Sequence, residues 1–262
     1  MENMSDIIKI STPVSGILHL TLNRPSQLNA LNHEVLEHLS HLFKQAKEDQ
    51  TVKAILLSGE GKAFCAGADI KELAALNGSQ GLEFAKFGQQ VFRQLELLGK
   101  PSLAAIHGYA FGGGCELAMA ATLRIASNAT QFGQPEIKLG VIPGFGGTQR
   151  LSRLIGKGRA LEICLTGRRF NATEAHQWGL INELTDPDKL FDRAIAILKE
   201  LTQLGPIALQ SILTTIHQGY DLSLEEAFEL EAAYFGLCCT TADKQEGVNA
   251  FLEKRAAVFS GA

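Results

Sequence analysis

Nothing in these 262 residues suits a disulfide framework or a zinc site. The five cysteines, Cys65, Cys115, Cys164, Cys238 and Cys239, are odd in number and include no CxxC pair. Reduced thiols in a cytosolic protein are the plain reading. His33, His38 and His41 share one early segment, but no carboxylate pattern makes them ligands, so no metal is expected. No apolar run is long enough to span a bilayer. The N-terminal stretch MENMSDIIKI lacks the basic start and long apolar stretch of a secretory leader, and the expected location is the cytoplasm. The 24 Lys and Arg against 28 Asp and Glu give a net charge of −4, with no basic block. Neither nucleic acid nor a membrane is expected as a partner. There is no low-complexity linker and no repeat of fixed period. No glycine run ends in GK[ST], which excludes a phosphate-binding P-loop.

What is present is an alternation of short apolar runs with helical stripes. ILHLTLN (17–23) alternates as a half-buried strand does. From Asn32, a candidate N-cap, apolar residues recur at Val35, Leu36, Leu39, Leu42, Phe43 and Ala46, one face of a helix. AILLSG (54–59), SLAAIHG (102–108) and TLRIAS (122–127) read as strands buried on both faces, with a long helix over about 81–98 between the first two. Strands alternating with helices predict an α/β fold with parallel pairing. After about residue 156 the texture becomes helical. NATE (171–174) and SLEE (223–226) have the form of capping boxes, and Pro206 opens another helix. A last helix is predicted over about 242–255.

Three glycine-rich points stand out: FCAGADI (64–70), FGGGCEL (111–117) and IPGFGGTQR (142–150). Any one alone is an ordinary turn. The second places Gly112, Gly113 and Gly114 where a strand turns into a helix, and helix N-termini carry N–H groups with no internal partner. An N–H from AGAD reaching the same spot would complete an oxyanion hole. Glu116 lies in the first turn of that helix, among Cys115, Leu117, Ala118 and Met119. Two readings stand: an acid favoured by the helix dipole, or a desolvated carboxyl poised as a proton shuttle. A second acid, Glu136, sits after a proline amid Phe132, Ile137 and Leu139. Two acids in apolar surroundings beside an oxyanion hole suggest a shared water.

The segments LNRPSQLNAL, KAFCAGADIKEL, KPSLAAIHGYAFGGGCELAMA, FGQPEIKLGVIPGFGGTQRL and EGVNAFLEKR resemble the crotonase family of enoyl-CoA hydratases and isomerases, over residues 22 to 255. The resemblance implies a crotonase-like spiral of ββα units over 1–195 that carries a thioester site. It also implies a C-terminal helical region over 196–262 that forms a homotrimer or homohexamer. By match, the N–H groups of Ala68 and Gly113 hold the thioester oxygen. Glu116 and Glu136 carry the acid–base chemistry; the match leaves open which is acid and which base, and the working assignment makes Glu116 the main base and Glu136 the acid for C2. Gly144 helps hold the water. Coenzyme A, part of the substrate rather than a cofactor, would run along Leu28, Ala30, Ala66, Asp69, Ile70 and Lys71. Phe251 and Lys254 match further contacts, sometimes made by a neighbouring subunit. Ser26 departs from the pattern, because many relatives carry a lysine there that meets a phosphate. Both glutamates being present favours hydration of a 2-trans-enoyl-CoA. The alternatives are an enoyl-CoA isomerase or an acyl-CoA hydrolase on the same scaffold, or a non-catalytic member of a fatty-acid oxidation complex.

Overall fold

The computed structural model describes residues 7–262. Strands β1 (Ile8–Val14), β2 (Ile17–Leu22), β3 (Ala54–Gly59), β4 (Ser102–Ile106), β5 (Tyr109–Phe111), β6 (Leu123–Ser127), β7 (Gln131–Gly133), β8 (Arg169–Asn171) and β9 (Glu183–Thr185) make two sheets. The larger has the order β1-β2-β3-β4-β6-β9, parallel except for β1. The smaller has the order β5-β7-β8. The helices are α1 (His33–Glu48), α2 (Ile70–Ala75), α3 (Gly78–Glu96), α4 (Gly113–Ala120), α5 (Gly147–Ile155), α6 (Lys157–Thr166), α7 (Ala172–Gln177), α8 (Leu190–Thr202), α9 (Pro206–Gly219), α10 (Leu224–Cys239) and α11 (Ala242–Glu253).

The two sheets explain the spiral. β4 leaves the large sheet and continues as β5 in the small one before α4 begins, and β6 continues likewise as β7. After β3 the chain makes the same step, with Cys65 bridging Ala110 of β5 in parallel. Each strand–strand–helix unit therefore ends its second strand on the same side, and the glycine-rich loops gather there. Such crevices at the ends of parallel strands are where ligand sites form in open α/β sheets.

Why the strand runs are uninterruptedly apolar follows from packing on both faces. Ile55 and Leu57 of β3 join the main core with Leu36, Leu39, Phe43 and Phe92 from α1 and α3. Ala54 and Leu56 point the other way, into a second core closed by Leu190, Ala194 and Leu198 of α8. That second layer corrects one expectation. β2 was expected to be half-buried, but His19 and Thr21 are each only 9% exposed. They satisfy their polar atoms with Ser58: His19 Nε2 lies 2.7 Å from its Oγ, and Thr21 Oγ1 3.2 Å. Buried polar groups need such partners.

The caps fall where the sequence places them. Asn32 accepts from the Val35 N–H at 2.9 Å. Asn171 and Glu174 form a reciprocal capping box, as do Ser223 and Glu226. Residue 195, where the core was expected to end, lies inside α8, which packs on the sheet. The helices that leave the sheet begin at Pro206. α10 buries none of its residues within the chain, and Leu224, Phe228 and Phe235 are exposed. The C-terminal tail is pinned by Asp243, which accepts from the N–H groups of Ser260 and Gly261.

Candidate active site

The gathered loops enclose a cavity of about 1170 Å³ whose wall includes Ala68, Gly113, Glu116, Glu136, Gly144 and Phe84. Its geometry starts with backbone. Gly112 ends β5 at φ +48, a conformation that L side chains rarely adopt. A Cβ there would also fall 2.5 Å from Glu136 Oε1. The bend aims the first N–H groups of α4 inward. The position of a Cβ on Gly113 is 3.4 Å from the Ala68 nitrogen, so the two segments are neighbours. Among the described residues, neither the Ala68 nor the Gly113 N–H donates within the protein. Ala68 is fixed by the residues around it: Leu31 N–H donates to Gly67 and Asp69 N–H to Leu31, both at 2.8 Å. Two unpaired donors on adjoining loops can grip one oxygen.

Glu116 projects from the first turn of α4 and is 1% exposed. Its Oε1 accepts two main-chain bonds, from Phe145 N–H at 2.8 Å and Gly147 N–H at 2.6 Å. Burial pushes its carboxyl up to about 8, the charge of Glu136 adds to the rise, and the two amides and Arg150 work against it. Glu136 opens the short 3-10 helix Glu136–Leu139, and burial pushes it up to about 7. The charge of Glu136 raises Glu116, so the titration belongs to the pair, and both carboxyls take up protons near neutrality. The fully buried Gln134, with its amide nitrogen turned toward Glu136, donates to Oε1 and Oε2 at 3.1 and 3.2 Å.

This arrangement can do one kind of work. Two N–H donors stabilise an oxygen that gains negative charge, and a half-protonated carboxyl pair gives and takes protons beside it.

Comparison with known proteins follows the geometry. The model of the Enoyl-CoA hydratase/isomerase family matches residues 13–262. The chain belongs to that family. It is 43% identical over 237 residues to the short-chain-enoyl-CoA hydratase of Clostridium acetobutylicum, covering 90% of this chain and 91% of that one. It is 42% identical over 241 residues to the crotonyl-CoA hydratase of Syntrophomonas wolfei, covering 92% and 93%. The crystal structure of enoyl-CoA hydratase from Bacillus anthracis superposes with a TM-score of 0.94 at 36% identity, covering 98% of this chain and all of that one. The spiral fold is that of the family.

The hydratase/isomerase scaffold brings some expected residues together and leaves others apart. Ala68, Gly113, Glu116, Glu136 and Gly144 share the cavity wall. Leu28, Ala30 and Ala66 lie on strands of loop tied to Ala68, with Ala66 N–H donating to Leu28 at 3.0 Å. Asp69 caps α2 and pairs with Arg24 at 3.1 Å. Asp69 and Lys71 edge a second, shallower depression with His33 and Glu72. Ile70 is exposed. Phe251 and Lys254 lie at the end of α11, outside the cavity wall, with Phe251 83% exposed. Ser26 is exposed and bonds only its neighbour Gln27. Sequence reasoning missed Arg24, Asn29 and Gln134. The Asn29 side chain, 1% exposed, donates to Ala63 at 2.7 Å, tying the two loops together. All three sit inside the quoted segments, in polar, glycine- or proline-containing stretches where no local pattern marks them.

Proposed function

We propose that this chain is an enoyl-CoA hydratase that adds water across the C2–C3 double bond of a 2-trans-enoyl-CoA to give the 3-hydroxyacyl-CoA. One observation carries the residue assignment: two unpaired main-chain donors and two carboxyls, Glu116 buried and Glu136 half-buried, face a single cavity.

The thioester oxygen sits on the N–H groups of Ala68 and Gly113. Glu116, ionised, takes a proton from the water as its oxygen bonds to C3. The C2–C3 π pair moves toward C1, and the carbonyl oxygen becomes enolate-like on the two amides. A lost donor of this kind costs about 2.7–4 kcal/mol of transition-state stabilisation. The proton of Glu136 goes to C2 and the carbonyl re-forms. Glu116 is assigned as base on geometry, since an oxygen accepting two main-chain N–H bonds is suited to the carboxylate form; burial acts against that order, raising Glu116 to about 8 and Glu136 to about 7. Gly144, whose N–H donates to nothing among the described residues, is the candidate to hold the water. Coenzyme A would lie along Leu28, Ala30, Ala66, Asp69, Ile70 and Lys71.

The exposed apolar faces of α10 and α11, Phe228, Phe235 and Phe251 among them, support assembly into a trimer or a pair of trimers. Phe251 and Lys254 would then reach coenzyme A in a neighbouring subunit.

Incubation with crotonyl-CoA and, separately, with a 3-enoyl-CoA tests the reading. Gain of one water by crotonyl-CoA, seen by mass and by loss of the enoyl-thioester absorbance, is the expected result. Conversion of the 3-enoyl-CoA alone would make the chain an isomerase, and release of free coenzyme A a hydrolase.

A further inference from the structure

The loop that holds Glu116 is itself held by side chains further along the same cavity wall. Residues 143–147 form a turn whose N–H groups, at Phe145 and Gly147, point at Glu116 Oε1. The carbonyls of the same turn face the other way and are both taken. Gly144 C=O accepts from Gln89 Nε2 at 2.8 Å. Phe145 C=O accepts from Arg150 Nη1 at 2.7 Å. Arg150 is in turn locked by a fork onto Glu96, with Nε to Oε1 at 2.6 Å and Nη2 to Oε2 at 3.1 Å. Both side chains of that pair are nearly closed off, 15% and 11% exposed. Gln89 and Glu96 belong to α3, two turns apart on one face. Neither touches the oxyanion amides, which come from other loops.

We infer that Glu96 and Arg150, with Gln89, are positioning residues that clamp the 143–147 turn and through it hold Glu116 ready to act as the base. The inference rests on the hydratase reading above. A planar guanidinium forked onto a carboxylate has one orientation, and that orientation places Nη1 on Phe145. Peptide units are rigid: the Gly144 carbonyl shares its plane with the Phe145 N–H, which Gln89 therefore aims directly, and the Phe145 carbonyl lies one unit before the Gly147 N–H, which Arg150 therefore steers through Gly146. Those amides favour ionised Glu116. Free the turn, and Glu116 holds its proton to higher pH.

The charges around these groups make the inference testable by sign. Glu116 faces Glu136 and Arg150, with the thiols of Cys65 and Cys164 nearby. Glu96 faces Arg93, Arg150 and His217. Burial alone would raise the Glu96 carboxyl, but bonds and charge from Arg150 and then Arg93 hold it below its usual value. It is therefore a fixed negative charge. Removing it by Glu96→Leu leaves Arg150 less neutralised. Coulomb attraction alone would then make Glu116 easier to ionise and move the acid limb of kcat to lower pH. Release of the turn predicts the opposite.

The experiment measures kcat and KM against pH for crotonyl-CoA with the whole protein, Glu96→Leu and Glu96→Gln, alongside hydrogen exchange by mass spectrometry. Glu96→Leu is expected to raise the acid limb by about one pH unit, roughly a tenfold loss of kcat on that side, with KM within about twofold. Glu96→Gln, which keeps one acceptor for Arg150, should fall between. Exchange in peptides spanning 143–147 should rise in Glu96→Leu while peptides spanning 65–70 stay as protected as before. An acid limb that is unmoved or moves down, or unchanged exchange at 143–147, overturns the clamp. A parent protein that hydrates nothing would sink the hydratase reading instead, and the exchange result would still decide the clamp.

Discussion

Glu116 should cost this protein stability at neutral and alkaline pH, and replacing it by glutamine should return that stability. The unfolded chain ionises the carboxyl near 4.5, whereas the folded chain holds the proton to about 8. For an acid whose folded value is raised, the proton held by the native state favours folding below the unfolded value. That advantage disappears as pH rises through 4.5 to 8, and above 8 the ionised group is buried at full cost. At about 1.4 kcal/mol per pH unit the gap corresponds to roughly 5 kcal/mol, an upper bound because Glu136 shares the titration. Glutamine keeps an oxygen for the Phe145 and Gly147 N–H groups and removes the charge. About half the bound, on the order of 2–3 kcal/mol at pH 8, is the expected gain, or roughly 5–10 °C in Tm. The assay is thermal unfolding of parent and Glu116→Gln at equal protein concentration across pH 4.5 to 8.5. Their difference should grow steadily with pH. A difference that is flat across that range, or that shrinks as pH rises, would refute the desolvation argument.

Other outcomes follow from the same geometry. kcat for crotonyl-CoA should be bell-shaped near neutrality, because activity needs one carboxyl ionised and its partner protonated; a profile flat from pH 6 to 9 would contradict the shared proton. A Cβ on Gly88 would fall inside the Phe145 ring, which packs edge-on against Phe84 and Phe92 at 5.1 and 5.6 Å. Gly88→Ala should therefore destabilise by about 1–3 kcal/mol and lower kcat through the displaced Phe145 loop, read by denaturant unfolding and steady-state kinetics. On the proposed trimeric assembly, Phe228→Asp with Phe235→Asp should reduce the sedimenting species to a monomer while leaving far-ultraviolet circular dichroism unchanged; a parent protein that sediments as a monomer would contradict that assembly.

Much of the site was legible because its chemistry needs glycines and isolated acids, and both are conspicuous in an apolar chain. The three glycine-rich points converge because they lie beyond strand ends on the same side, and uninterrupted apolar runs, not periodicity, located the buried strands β3, β4 and β6. The three-residue strands β5, β7, β8 and β9 were not legible, since three residues cannot show a period. The burial of His19 and Thr21 was hidden for a different reason. It depends on α8, a helix more than 160 residues away in sequence. On α10, Ala227, Leu230 and Tyr234 are half-buried within the chain, while Phe228 and Phe235 stay exposed. The clamp from Glu96 to Arg150 was invisible because a charged pair 54 residues apart leaves no local pattern.

The most direct measurement compares hydration of crotonyl-CoA by the parent protein with that by Glu116→Gln and Glu136→Gln, with binding of acetoacetyl-CoA as a check on the thioester grip. Each variant should lose at least about a hundredfold in kcat and still bind the ligand through Ala68 and Gly113. Near-parental turnover by either variant would show that the paired carboxyls are not the acid and base.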